Sequence, residues 1–158
     1  MTKKQEFFIN KAIKLAEENV KSGNGGPFGA VIVKNGEIIA TGVNTVTTTN
    51  DPTAHAEVNA IRNACKKLDS FQLDDCEIYS SCEPCPMCLG AIYWSRSKKL
   101  FFAADKNDAA KAGFDDSFIY NEIDLPIDQR FITTKILKTN NKLEPFKLWN
   151  NLNKRINY

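Results

Sequence analysis

The 158 residues carry 42% hydrophobic and 25% charged side chains, enough apolar surface for one ordinary globular core and too ordered a composition for a disordered chain. The formal charge of +2 gives no dense basic surface, so binding to nucleic acid or to a membrane through phosphates is not indicated. No apolar run approaches bilayer length and the start lacks the apolar stretch and cleavage site of a secretion signal, which together point to a cytoplasmic protein.

In chain order, "MTKKQEFFINKAIKLAEENV" places Phe7, Phe8, Ala12, Ile13 and Leu15 at helical spacing. "FGAVIVKNGEIIATG" then reads as two apolar strands around Asn35-Gly36, a dipeptide that favours the tight turn of a hairpin. After "NDP", the segment "TAHAEVNAIRNACKKL" sets Ala54, Val58, Ile61, Cys65 and Leu68 at three- and four-residue steps, predicting a helix facing a core with Thr53 as its N-cap. "CEIYSS" is a short buried strand, "PMCLGAIYWSR" a helix opened near Pro86, and "KKLFFAA" a further strand. Late in the chain, "RFITTKIL" has the composition of another strand, and Phe146, Trp149, Leu152 and Ile156 mark one face of a terminal helix. The chain shows no repeat, linker or low-complexity segment, so a single domain over 1–158 is expected.

The chemistry concentrates in two short stretches. His55 is the only histidine, and the five cysteines (Cys65, Cys76, Cys82, Cys85, Cys88) are an odd set that argues against a disulfide framework and for metal or redox chemistry. Cys85 and Cys88 are three residues apart, which on a helix leaves roughly 300° of rotation between them and puts both thiols on one side. A lone CxxC also fits a redox pair or half of a structural zinc site. With Cys82 as a fourth ligand the site would close into an inert structural one; with His55, Cys85 and Cys88 alone, zinc keeps an open position for water, the catalytic arrangement. Cys65 and Cys76 read as small core residues. Glu57 lies about 200° from His55 on an ideal helix, so the two share a site only if it sits off the helix's N-terminal end. There a carboxylate base assists a water that two thiolates leave less acidic than three imidazoles would.

"HAE" followed by "PCPMC" is the H-x-E…P-C-x-x-C signature, and over about 7–104 the chain resembles the zinc-dependent nucleobase and nucleoside deaminases. That resemblance implies an α/β fold, a three-layer α/β/α sandwich with a central mixed five-stranded sheet flanked by helices. It also implies one Zn²⁺ per chain held by His55, Cys85 and Cys88, with a bound water or hydroxide, and Glu57 as the catalytic proton shuttle. Within the family, "GGPFGAVIVKNGEIIA", "NDPTAHAE", "SCEPCPMCLGAIYWSR" and "AGFDDSFIY" resemble the bacterial guanine deaminase branch over essentially the whole chain. This implies hydrolysis of guanine to xanthine and ammonia, a purine base as partner, and a homodimer. By the same resemblance Phe28 stacks on the purine, Asn44 reads the base edge, Asp116 accepts from the guanine N–H groups, and a segment 139–158 is exchanged between subunits so that Tyr158 covers the neighbour's site. Without it, Asn44 is a turn residue, Asp115 and Asp116 a solvated pair, and "GNGGPFG", which lacks the GK[ST] of a P-loop, either a tight turn or a loop lining a pocket. A tRNA adenosine deaminase carries the same motifs. Here the basic tail residues Lys135, Lys138, Lys142, Lys147, Lys154 and Arg155, without interleaved stacking aromatics, give little footing for RNA. A zinc-stabilised structural module is the remaining alternative, and it would not need Glu57.

Overall fold

A computed structural model describes Met1–Tyr158. The elements are α1 (Lys3–Lys21), β1 (Gly29–Lys34), β2 (Glu37–Val43), α2 (Val46–Thr49), α3 (Ala56–Leu68), β3 (Cys76–Cys82), α4 (Pro86–Trp94), β4 (Lys99–Ala104), α5 (Lys106–Lys111), α6 (Ser117–Asp124) and α7 (Glu144–Asn150). They form two compact units, Met1–Asp116 and Ser117–Tyr158. No helix is long and apolar enough to cross a membrane.

In Met1–Asp116 one mixed sheet runs β2-β1-β3-β4. β1 pairs antiparallel with β2 and β3, while β3 and β4 are parallel. The β1–β2 hairpin turns at Asn35 and Gly36, both at positive φ (55° and 80°), which matches the turn expected from that dipeptide. The two-residue alternation of β1 separates the layers. Val31 and Val33 join Phe8, Ala12 and Tyr79 under α1, whereas Ala30 and Ile32 join Ala56, Ala60, Ala64, Ile78 and Ile92 under α3 and α4. The result is the expected three-layer α/β/α sandwich.

The sheet has four strands rather than five. "RFITTKIL" forms no strand, and Phe131, Ile132, Ile136 and Leu137 are all exposed. Strand composition supplies side chains suited to a sheet but not the neighbouring backbone edge that makes a strand. The terminal helix is also shorter than its apolar spacing predicts. α7 ends at Asn150, so Leu152 and Ile156 lie beyond it, and Phe146 and Trp149 are exposed. Asn150, Asn151 and Asn153 offer the backbone competing hydrogen bonds at that end.

The helix after "NDP" differs in face and in start. Its buried residues are Ala56, Glu57, Ala60 and Ala64, with Ile61, Cys65 and Leu68 only partly buried at the flank. The alanines win because α3 lies directly on β2. A Cβ built at Gly42 would come 2.2 Å from the Ala56 carbonyl oxygen and 2.4 Å from the Ala60 nitrogen. Thr53 is not the cap, because Asp51 Oδ1 accepts from both its backbone N–H (2.8 Å) and its hydroxyl (2.6 Å). His55 takes the N-cap position instead, in extended conformation and with no side-chain capping bond. That leaves its ring free for other work.

Candidate active site

Two helix N-termini meet at the site. His55 is the N-cap of α3 and Cys85 the N-cap of α4, each in extended conformation (φ −73°, ψ 158° and φ −62°, ψ 167°). Pro86 follows at the first helical position of α4, where its missing N–H costs nothing. Cys88 sits one turn further along α4 and is fully buried. His55 Nδ1 lies 3.6 Å from Cys85 Sγ and 3.4 Å from Cys88 Sγ. Ligand atoms at zinc–sulfur and zinc–nitrogen distances of about 2.3 and 2.0 Å in a tetrahedron lie roughly 3.5 Å apart, so this triangle has the dimensions of a zinc site. His55, Cys85 and Cys88 are the only His, Cys, Asp or Glu group of the chain whose ligand atoms cluster within 4.8 Å.

Cys82 does not join them. Its thiol is buried and faces the Asp105 carbonyl oxygen at 3.7 Å, while burial pushes its pKa up to about 11. The closed four-ligand alternative therefore fails on geometry, and three ligands remain. Cys76 is a core residue as expected, and Cys65 packs at the core's edge.

The electrostatics favour a thiolate at Cys85. Its pKa is drawn down to about 4, chiefly by the hydrogen bond from the Cys88 thiol and further by His55. Cys88, as the donor in that bond and deeply buried, is pushed up. The His55 imidazole is raised mainly by its hydrogen bond to Cys85. Both helix N-termini add positive potential at the same point.

Glu57, on the first turn of α3, is only 5% exposed. Its Oε1 accepts a hydrogen bond from Ser80 Oγ at 3.1 Å, and burial raises its pKa above the usual carboxylate range. Glu57 thus lies beside the metal-sized triangle but outside its ligand set, a position from which a carboxylate can accept and pass on a proton. Ser80 itself, 1% exposed in the middle of β3, was hidden in the sequence as one of two serines in a strand. Its only signal was a pair of hydroxyls, Ser80 and Ser81, in a buried strand.

Phe28, Asn44 and Asp116 lie in the same unit, Met1–Asp116. Phe28 is half-buried and meets Phe114 edge to face, with ring centroids 4.9 Å apart. Asn44 is buried, and its Oδ1 accepts from the backbone N–H of Val46 (3.2 Å) and Gly26 (3.4 Å). Asp116 is partly buried; burial raises its pKa, and the Cys85 charge adds to the effect. The structure thus brings His55, Glu57, Cys85 and Cys88 together and puts Asp116 within electrostatic reach of Cys85. In Ser117–Tyr158, Tyr158 is exposed at the chain's end and meets Trp149 edge to face at 6.4 Å.

Residues 2–104 match the family model of the cytidine and deoxycytidylate deaminase zinc-binding region. The chain belongs to that family. Membership assigns a zinc-binding role to the region holding the His55–Cys85–Cys88 triangle, and the donor set fits one zinc per chain. Among curated relatives, guanine deaminase of Bacillus subtilis is 60% identical over 153 residues, covering 97% of this chain and 98% of that protein. The X-ray structure of guanine deaminase from Bacillus subtilis superposes with a TM-score of 0.96 at 59% identity, covering 100% of this chain and 99% of that one. A tRNA-specific adenosine deaminase of Aquifex aeolicus is more distant, at 44% identity over 100 residues, covering 63% of this chain and 66% of that protein.

Proposed function

We propose that this chain is a guanine deaminase that hydrolyses guanine to xanthine and ammonia. The observation that carries the reading is the His55–Cys85–Cys88 triangle with buried Glu57 beside it, in a chain alike end to end with the Bacillus subtilis enzyme. Similarity to the tRNA-specific enzyme covers 63% of the chain, whereas the guanine enzyme matches over 97% of it.

In this reading His55, Cys85 and Cys88 hold the metal. Zinc bound there would supply a Lewis acid that acidifies water, less strongly with two thiolates than with three imidazoles. Glu57 takes the proton from the attacking water as the new bond forms at C2 of guanine. It then delivers that proton to a ring nitrogen and carries the remaining water proton from the new C2 hydroxyl to the amine, which leaves as ammonia while the C2 carbonyl forms. The upward pull of burial on its proton affinity suits a group that must both accept and release a proton close to neutrality. Phe28 holds the purine face, Asn44 donates to the base edge, and Asp116 accepts from the guanine N–H groups.

The functional unit in this proposal is one deaminase domain over 1–158, working as a cytoplasmic homodimer. Five free cysteines suit a reducing compartment. The segment 139–158 is exchanged between subunits, and Tyr158 closes over the partner's purine. Supporting exchange, 131–158 exposes Phe131, Ile132, Ile136, Leu137, Phe146, Leu148 and Ile156, an apolar load that a solvated tail does not carry.

The test is ammonia release from guanine, adenine, cytosine, guanosine and an adenosine-containing tRNA stem-loop measured side by side. Guanine should dominate; dominance of the stem-loop would replace the reading with the tRNA one.

A further inference from the structure

Asn19 lies in the last turn of α1 and is 3% exposed, one of the few buried polar side chains. Its Nδ2 donates to two backbone carbonyls at once, Gly26 at 2.9 Å and Asn44 at 2.8 Å. Its own backbone carbonyl accepts from Ser22 Oγ (2.9 Å) and from the Asn24 N–H (3.2 Å). A single residue therefore anchors both ends of "SGNGG" to the helix and ties that loop to Asn44. The loop passes close to Asn44, since a Cβ built at Gly25 would stand 2.2 Å from the Asn44 carbonyl oxygen.

The amide of Asn19 has one orientation. Turned over, its oxygen would face two carbonyl oxygens. As it stands, Oδ1 is buried with no partner, which an apolar side chain of similar size would avoid. An orphaned acceptor is tolerable where the two bonds donated on the other side do something a greasy contact cannot. Their effect is on Asn44, whose Oδ1 is occupied by the N–H groups of Gly26 and Val46. Asn44 is left with Nδ2 alone to offer a ligand.

We propose that Asn19 is a positioning residue for base recognition: by pinning the Gly26 and Asn44 carbonyls it locks the Asn44 amide so that it presents a hydrogen-bond donor and never an acceptor. The site then selects a purine edge that carries an acceptor where Asn44 reaches it. This rests on the guanine deaminase reading for the identity of the ligand, but the locking itself does not.

Asn19→Leu in the zinc-loaded enzyme removes both donated bonds and the orphan together. With Asn44 holding the base and taking no part in the chemistry, as the proposed function has it, KM for guanine should rise roughly tenfold with kcat within about threefold, the pattern of lost uniform binding. On an Asn44→Ala background Asn19→Leu should add nothing further to KM. An unchanged KM, a fall in kcat alone, or the same KM effect with and without Asn44 would overturn the inference. If Asn19→Leu does not fold, Gly25→Ala decides the matter by the same criteria, because it pushes on the same carbonyl while leaving α1 intact. Amide hydrogen exchange at Gly26 and Val46 reads the lock without any substrate. Protection there should fall in the variant, and unchanged protection sinks the inference even if guanine is not the substrate. A wild-type chain inactive on guanine strikes the functional reading alone.

Discussion

Ser80→Ala removes one oxygen from the molecule's interior and leaves a shape that fits the same space, so β3 should form as before. What is lost is the 3.1 Å bond to Glu57 Oε1, at a carboxylate only 5% exposed where little water can replace it. A hydrogen bond to a charged group contributes about 1.5–3 kcal/mol, and about 1.4 kcal/mol corresponds to one pH unit in a pKa. The bond favours the ionised carboxylate. Its loss should raise the Glu57 pKa further, in the direction burial already pushes it. Since Glu57 must start deprotonated to accept a proton, the acid limb of kcat/KM should move to higher pH, with rates on the acid side lower by roughly tenfold and converging well above the limb. A metal cation held by His55, Cys85 and Cys88 would lower the Glu57 value in both enzymes alike, so the difference between the profiles carries the test. Xanthine formation from guanine followed between about pH 5 and pH 9 would show it. Superimposable profiles from a variant with full zinc content would refute the reasoning, because Ser80 would then not be supporting the charged form.

Three further outcomes are expected. Glu57→Gln keeps Ser80's partner oxygen and should retain zinc and fold while lowering kcat by at least about a hundredfold; full activity would remove the proton-carrying role. His55→Ala or Cys85→Ala should lose most of the roughly one zinc per chain found by elemental analysis, and full retention would break the ligand assignment. Deleting 155–158 should leave zinc intact but cut kcat/KM for guanine by roughly tenfold or more, with part of the loss recovered on subunit exchange with Glu57→Gln chains. Truncation without effect would end the lid proposal, and loss without rescue would confine the tail to its own chain.

The elements nearest the site were legible because their signals are local. Asn35-Gly36 fixed a turn, Pro86 a helix start, and HAE with PCxxC the two clusters that a single fold had to join. Even the off-axis relation of His55 and Glu57 followed from helix geometry, since a shared site had to lie beyond the helix end. What stayed hidden depends on distant partners. α3 buries Ala56, Ala60 and Ala64 rather than Val58 because Gly42 on another element lets the backbones touch. Thr53 was lost as a cap to Asp51, two residues away. Ser80 and Asn19 look like filler until their partners, 23 and 25 residues distant in sequence, are seen beside them. The 130–137 segment shows the converse, a strand-like composition without a strand.

Solvent oxygen separates hydrolysis by this site from every other route, when guanine is incubated with the zinc-loaded enzyme in heavy-oxygen water. Attack at C2 by a water that Glu57 deprotonates predicts xanthine carrying one heavy oxygen atom per molecule, released together with an equal amount of ammonia. Unchanged guanine, or a product without the heavy atom, would contradict it.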